Sequence, residues 1–145
     1  SIGYPTLEKQ LQILNAQRYH NPLQDLKTVT DGQTILEIQD YLNSIRMTES
    51  VMAYAIRLCE ATREHALVEL GVSPRGVTSL VKMSRANAIL KGRNYVVPED
   101  IQNVFLDVCA HRLVLKPQVQ VDGVSAREIL EEIMTRVKPP VAGKR

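Results

Sequence analysis

The 145-residue chain, in which 44% of the side chains are hydrophobic and 23% are charged, has the length of one compact domain with a substantial core. Its seven Gly and seven Pro are too few for a fibrous or disordered chain. The 18 basic and 16 acidic residues give a net charge of +2, so nucleic acid is not expected as a partner. No apolar run approaches the roughly 20 residues of a membrane span, and we expect a cytoplasmic protein.

Apolar residues recur at helical spacing along most of the chain. The first predicted helix ends near Arg18 and has one apolar face: Leu7, Leu11 and Leu14. A polar loop follows, marked by the turn-forming pair Asp31-Gly32. The second predicted helix begins near Thr34, and its apolar side consists of Ile35, Ile38 and Leu42.

The third and fourth helices have clear start signals. Ile45 and Met47 are expected to be briefly extended, and Thr48 then caps the third helix. Its predicted buried stripe is Val51, Tyr54, Ala55, Leu58 and Thr62. Ser73 is the predicted cap of the fourth helix, with Pro74 at the first position. The inward face of that helix is predicted to be Val77, Leu80, Val81 and Ser84.

The last third of the chain predicts two more helices. Gly92 ends the fourth helix and Pro98 begins the fifth, with a core stripe of Ile101, Val104, Phe105 and Val108. Alternation at Val119 and Val121 before the turn pair Asp122-Gly123 allows a strand or hairpin. Ser125 and Glu128 form a predicted capping box at the start of the final helix. The predicted apolar face of that helix consists of Ile129, Leu130, Ile133 and Val137.

The expected fold class is therefore mostly α, a helical bundle of about five to six helices with room for a minor β-hairpin. We expect the domain to cover residues 1–138 and residues 139–145 to form a flexible tail. Cys59 and Cys109 fall among apolar residues at helical spacing and are predicted to be buried free thiols. The three histidines show no paired spacing, so no metal site is predicted.

The stretch GVSPRGVTSL, residues 71–80, breaks two local rules of helix formation. Arg75 places a positive charge where aligned peptide dipoles are already positive, and Gly76 lowers helix propensity. Such breaks are expected where function overrides stability. An anion such as phosphate could be received here by the exposed amide hydrogens at the helix start together with the Ser73 and Thr78 hydroxyls, Arg75 and Lys82. An ion pair with a carboxylate, or simple solvation, explains Arg75 at least as well.

A resemblance to a known family favours the anion. The segment from Glu69 to Leu115 resembles the C-terminal lid domain of MoxR-type AAA+ ATPases, in which G-x-S-P-R opens a helix, G-R-x-Y-V-x-P-E-D precedes the next, and H-R-L ends it. The matching residues are Gly71, Ser73, Pro74, Arg75, Gly92, Arg93, Tyr95, Val96, Pro98, Glu99, Asp100, His111, Arg112 and Leu113. IGYP at residues 2–5 and IRLCEATR at residues 56–63 also resemble the family, so the resemblance covers nearly the whole chain.

The resemblance implies that Arg75 is the second sensor arginine, which reaches ATP near its γ-phosphate. A guanidinium suits that role because phosphoryl transfer depends mainly on positioning and charge stabilisation. Arg75 is thus the candidate catalytic residue, and the candidate cofactor-binding residues are Arg75, Ser73, Tyr4 and Ile2. Tyr4 and Ile2 would pack against the adenine. Whether Arg75 acts on the nucleotide of its own subunit or of a neighbour stays open.

The chain contains no G-x-x-x-x-G-K-[ST] phosphate loop and no apolar run that ends in paired acidic residues. We therefore interpret it as a fragment that alone neither hydrolyses ATP nor binds it tightly, with Mg²⁺ held by a separate core domain. The resemblance implies three kinds of partner: an N-terminal AAA+ core of the same chain, neighbouring subunits of a hexameric ring, and a protein with a von Willebrand A-type domain. The implied function is chaperone-like remodelling or maturation of client proteins.

Two other functions remain open on the residues alone. A capped helix that carries Arg75, Lys82 and Arg85 could enter the major groove of DNA. A purely structural interaction bundle would instead use Arg75 in an ion pair. Both alternatives differ from the sensor hypothesis in what the Arg75 guanidinium contacts.

Overall fold

The computed structural model describes residues 3–19, 21–117 and 123–140. Within these residues the chain forms six α-helices: α1 (Leu7–Tyr19), α2 (Gly32–Ser44), α3 (Glu49–Arg63), α4 (Pro74–Leu90), α5 (Pro98–Cys109) and α6 (Ala126–Arg136). Two 3₁₀ helices and two strands complete the elements: Pro22–Asp25, Ala110–Arg112, β1 (Val68–Leu70) and β2 (Val114–Leu115). The predicted fold class, mostly α with a minor β element, is confirmed.

The chain divides into two compact units, Ser1–Glu37 and Ile38–Arg145. In the first unit every α1 side chain that the structure describes is exposed, including the predicted apolar face. The Asp31 carboxylate accepts a hydrogen bond from the Thr34 amide at 2.7 Å. Asp31 therefore caps α2, which begins at Gly32, two residues earlier than predicted. The expectation of one domain over residues 1–138 stays a prediction.

The hydrophobic core lies in the second unit, where α3, α4, α5 and α6 pack together. Its largest fully buried apolar side chains are Tyr54, Leu58, Leu80, Ile101, Phe105, Ile129, Leu130 and Ile133. Burying one such side chain stabilises the fold by roughly 1.5–3 kcal/mol. The predicted inward faces of these four helices are confirmed, although four of their members are only partly buried: Val77, Val81, Val104 and Val137.

The two strands form a small antiparallel sheet, with Val68 opposite Leu115 and Leu70 opposite Val114. Because α4 and α5 lie between the strands in the sequence, this sheet is not a local hairpin. The hairpin predicted around Val119 falls on residues 118–122, which lie outside the described residues. The sequence did not predict β1, because three residues are too few to show alternation.

A buried carboxylate joins α4 to α5. Asp100 is fully buried and accepts hydrogen bonds from Arg93 Nη1 at 2.7 Å, Arg93 Nη2 at 2.5 Å, Asn87 Nδ2 at 2.9 Å and the Val97 amide at 2.9 Å. Burial by itself raises the pKa of Asp100, but the Arg93 and Val97 hydrogen bonds outweigh burial and the pKa is lowered. Asp100 is therefore a charged anchor for the loop between the two helices.

The segment before α3 is extended, as predicted. The Arg46 amide donates to the Asn94 carbonyl at 3.1 Å, and the Val96 amide donates to the Arg46 carbonyl at 2.9 Å. Ile45 is 2% exposed and belongs to the core. This parallel bridge attaches the start of α3 to the same loop that Asp100 holds.

Both cysteines are buried and free, as predicted. The fold brings their side chains together, although they are 50 residues apart in the sequence. The neighbouring Cys59 thiol and burial raise the pKa of the Cys109 thiol.

Candidate functional site

The start of α4 carries the candidate site. Ser73 adopts an extended backbone with φ −71° and ψ 164°, and its Oγ accepts a hydrogen bond from the Gly76 amide at 3.3 Å. Pro74 occupies the first turn, where its missing N–H leaves no donor unsatisfied. The predicted cap and the predicted start of this helix are both confirmed.

Arg75 is exposed, and its guanidinium has no hydrogen-bond or ion-pair partner among the residues that the structure describes. The carboxylate contact that the sequence left open is therefore not found in residues 3–19, 21–117 and 123–140. Lys82, two turns further along α4, is also exposed. Seven residues bring it back to within about 20° of Arg75 around the helix, so both cations lie on one side.

The other polar groups near Arg75 are mostly engaged by α4 itself. Thr78 Oγ1 donates to the Pro74 carbonyl at 3.3 Å, and Ser79 Oγ donates to the Arg75 carbonyl at 3.1 Å. In this conformation the Thr78 hydroxyl hydrogen is used within α4, and a contribution of Thr78 to anion binding stays a prediction. Ser73 uses Oγ as an acceptor but keeps its hydroxyl hydrogen. The exposed side-chain donors that remain are consequently the two cations and the Ser73 hydroxyl.

Gly76 has a structural explanation, which the sequence had attributed to function. A Cβ atom on Gly76 would lie 2.5 Å from Val72 Cγ1, far inside van der Waals contact. Val72 is fully buried, so it has no room to move away. Of the two local rules broken in this stretch, only the positive charge of Arg75 remains without a structural reason.

The residue before the cap is held by the end of α3. The Val72 amide donates to Thr62 Oγ1 at 2.9 Å, and the Val72 carbonyl accepts from Arg63 Nε at 2.8 Å. Gly71 packs closely against this end of α3, since a Cβ atom on Gly71 would lie 2.7 Å from the backbone nitrogen of Arg63. We call these contacts the Val72 clamp. The sequence did not predict the Val72 clamp, because nothing in the local pattern distinguishes an arginine that binds a distant carbonyl, as Arg63 does, from one that is solvated.

The two remaining candidates, Tyr4 and Ile2, lie near the start of the chain. Tyr4 is fully exposed and belongs to the first unit, and Ile2 lies outside the described residues. Their predicted contact with adenine stays a prediction.

Other surfaces offer less chemistry. A cleft of about 530 Å³ lies near the other end of α4, lined by Tyr41, Ile89, Gly92, Arg93, Asn94 and Tyr95.

Arg85 Nε is buried without an acceptor among the described residues, so Arg85 is poorly placed to enter a DNA groove with Arg75. In the described ranges no cluster of histidine, cysteine and carboxylate side chains could hold a metal ion. No helix there is both long and apolar enough to cross a bilayer.

Comparisons with known proteins agree with the helical architecture. A family model described as the AAA lid domain matches residues 60–133. The uncharacterized protein YeaC of Bacillus subtilis is 36% identical over 140 residues, which are 97% of this chain and 44% of YeaC. Chaperone MoxR1 of Mycobacterium tuberculosis is 26% identical over 149 residues, covering 97% of this chain and 39% of MoxR1.

A solved structure matches as well. The "putative ATPase" of Cytophaga hutchinsonii superposes with a TM-score of 0.82 at 28% sequence identity, covering 97% of this chain and 45% of that protein. The chain thus spans less than half the length of these relatives.

Proposed function

This chain belongs to the AAA lid domain family and is of the MoxR type, and from that membership we propose that it is the lid of a ring-forming ATPase whose Arg75 senses bound ATP. The observation that carries the proposal is the exposed, unpartnered Arg75 guanidinium at the start of α4. Within the described residues no carboxylate neutralises it. An anion brought by another part of the protein is the partner that best explains it.

The donors at this helix start fit a phosphate group. A guanidinium offers planar, paired N–H donors that can bind two oxygens of one phosphate, and Lys82 adds a second charge on the same side. The Ser73 hydroxyl, at the cap of the same helix, offers a further hydrogen-bond donor. A nearby phosphate also offsets the unfavourable interaction of Arg75 with the helix dipole. Arg75 therefore orients and stabilises phosphate charge, which is most of what phosphoryl transfer requires from a protein.

The remaining machinery has to come from other segments, since these 145 residues contain no phosphate loop. An N-terminal AAA+ core would hold Mg²⁺ and the rest of ATP, with Tyr4 and Ile2 against the adenine. The lid extends over residues 1–138 and works in a hexameric ring in the cytoplasm. The name of the chaperone relative supports remodelling or maturation of client proteins. We further propose that these clients include proteins with a von Willebrand A-type domain.

The sensor role is tested in the full-length protein that carries this lid. Arg75→Ala should lower the ATP turnover number by about 100-fold, the typical loss when one preorganised donor to a developing charge is removed. Arg75→Lys keeps the charge but not the paired donors, so it should recover only part of the loss. Steady-state ATP hydrolysis and nucleotide affinity are the measurements.

The matched control is Arg57→Ala, because Arg57 is an exposed arginine on α3. It should leave turnover unchanged. Unaltered turnover and affinity in Arg75→Ala would remove the sensor assignment. Measurable ATP hydrolysis by the purified 145-residue chain would contradict the division of labour between lid and core.

A further inference from the structure

We propose that Thr62 and Arg63 are positioning residues for Arg75, acting through the Val72 clamp. This proposal rests on the proposed function, in which Arg75 contacts ATP. It adds that the two consecutive residues at the end of α3 fix the direction in which Arg75 leaves the helical unit.

In the clamp, side chains of α3 hydrogen-bond to both the backbone amide and the backbone carbonyl of Val72. Thr62 is fully buried, and its hydroxyl donates to the Cys59 carbonyl at 2.6 Å while it accepts the Val72 amide at 2.9 Å. Its orientation is thereby fixed from both sides. Arg63 Nε holds the Val72 carbonyl at 2.8 Å. Val72 can therefore neither rotate its peptide nor move away from α3 without breaking hydrogen bonds.

Little freedom remains between Val72 and Arg75. Only Ser73 and Pro74 intervene: the first is held as the helix cap by the Gly76 amide, and the proline ring restricts its own φ. Gly76 rests on Val72 Cγ1 with no space for a methyl group. The backbone that carries Arg75 is thus connected to α3 without a flexible joint.

The connection has a direct functional consequence. If the backbone from Val72 to Pro74 were flexible, Arg75 could move toward a phosphate without any displacement of α3. With the clamp, the same movement displaces Val72 and therefore α3, which belongs to the core of the second unit. Thr62 and Arg63 thus couple any movement of the Arg75 backbone to a movement of α3 and of the core to which α3 belongs.

Thr62 offers a clean test because it is fully buried and cannot itself contact nucleotide in this conformation. Thr62→Val keeps the shape but removes the acceptor, and Thr62→Ser restores it. In the full-length protein, Thr62→Val should lower the turnover number roughly 10-fold with KM little changed, since slight misplacement of a catalytic group costs rate. Thr62→Ser should restore turnover to near wild type.

The double variant separates positioning from general destabilisation. If Thr62 acts through Arg75, adding Thr62→Val to Arg75→Ala should cause no further loss of turnover, because coupled residues are not additive. Ile133→Val, a destabilising change in the core at a residue of α6 that makes none of the clamp's hydrogen bonds, should leave turnover unchanged. Arg63→Ala provides a second probe should Thr62→Val fail to fold, because Arg63 is exposed. It should show the same non-additivity with Arg75→Ala.

The outcomes distinguish the two proposals. A large effect of Arg75→Ala with fully additive losses from Thr62→Val and Arg63→Ala would overturn the positioning role and leave the sensor role standing. No effect of Arg75→Ala would overturn the sensor role, and the positioning role with it. Loss from Thr62→Val that Thr62→Ser does not restore would also overturn the clamp.

Discussion

Arg75 and Arg93 both belong to the motif by which the chain resembles its family, but their side chains do opposite things. The Arg93 guanidinium binds the buried Asp100 carboxylate and also lies 5.7 Å from the centre of the Tyr95 ring. The Arg75 guanidinium is exposed and has no partner in the described residues. A guanidinium that is already paired with a carboxylate of the fold needs no ligand. Of these two arginines, only Arg75 is therefore a candidate for binding a ligand.

The Arg93 side chain should be important for stability. Arg93→Ala leaves the buried Asp100 without its main counterion and should lower the free energy of unfolding by about 3 kcal/mol. The control is Arg127→Ala, which removes an ion pair with Asp107 at 2.6 Å in which both side chains are exposed. That change should cost less than about 1 kcal/mol. Chemical denaturation measures both, and equal losses would contradict the anchor role of Asp100.

Asp100 should also make stability depend on acid pH. Its folded pKa is below the usual 3.8, because the Arg93 and Val97 hydrogen bonds outweigh the effect of burial, which acts in the opposite direction. A carboxyl with a lowered folded pKa stabilises the fold above its unfolded pKa, and this stabilisation is lost as the pH falls through the folded value. The free energy of unfolding should therefore decrease as the pH drops below 3.8.

The variant Asp100→Asn isolates this contribution, because Asp31 and Glu128 also have lowered pKa values and lose stabilisation in the same acid range. Denaturation series from neutral to acid pH should show a shallower decrease for Asp100→Asn than for the wild-type chain. Parallel curves would mean that Asp100 does not contribute to the pH dependence.

At the scale of elements, local signals placed the helices well and the junctions between them poorly. Ser125 and Glu128 form the predicted capping box, with the Ser125 amide 2.7 Å from the Glu128 carboxylate and the Glu128 amide 3.2 Å from Ser125 Oγ. Gly92 has the positive φ of 70° expected after α4. The α3 to α4 junction was not predicted, because its contacts join residues that local pattern rules do not compare.

That junction leads to a prediction about Gly76. Gly76→Ala is favourable for an isolated helix by up to about 1 kcal/mol, yet in this fold the methyl group would collide with Val72 Cγ1. Because both groups are buried, the variant should instead lose about 1–3 kcal/mol of unfolding free energy. Gly92→Ala is an informative comparison, since a Cβ there meets nothing within 4 Å and only the positive φ resists it. A more stable Gly76→Ala would show that the α4 start is loosely packed.

At the scale of the whole molecule, burial is concentrated in the second unit. The buried core residues lie between Ile45 and Ile133, whereas α2 has no buried residue and every described side chain of α1 is exposed. Among the described residues, the second unit therefore supplies nearly all of the apolar burial that stabilises the fold.

Hydrogen exchange of the 145-residue chain should reproduce this distribution. Amides of α3, α4 and α5 should exchange most slowly, because they open only with the core, and amides of α1 should exchange fastest. Mass spectrometry of peptic fragments provides the measurement, and dilution series control for self-association. Protection of α1 equal to that of α5 at low concentration would contradict the expected division.

The sequence alone determined what depends on neighbours within a helical turn: the approximate helix positions, the caps of α4 and α6, the inward faces of α3 to α6 and the one arginine that violates the dipole preference. The tertiary structure alone decided which distant groups meet. Val68 pairs with Leu115, Thr62 holds Val72, and Arg93 neutralises Asp100 in the core. Periodicity and capping act over three or four residues, whereas these contacts form only when packing of the helices closes longer loops. For that reason the motif could single out Arg75, but only the fold could separate it from the arginines that serve the structure.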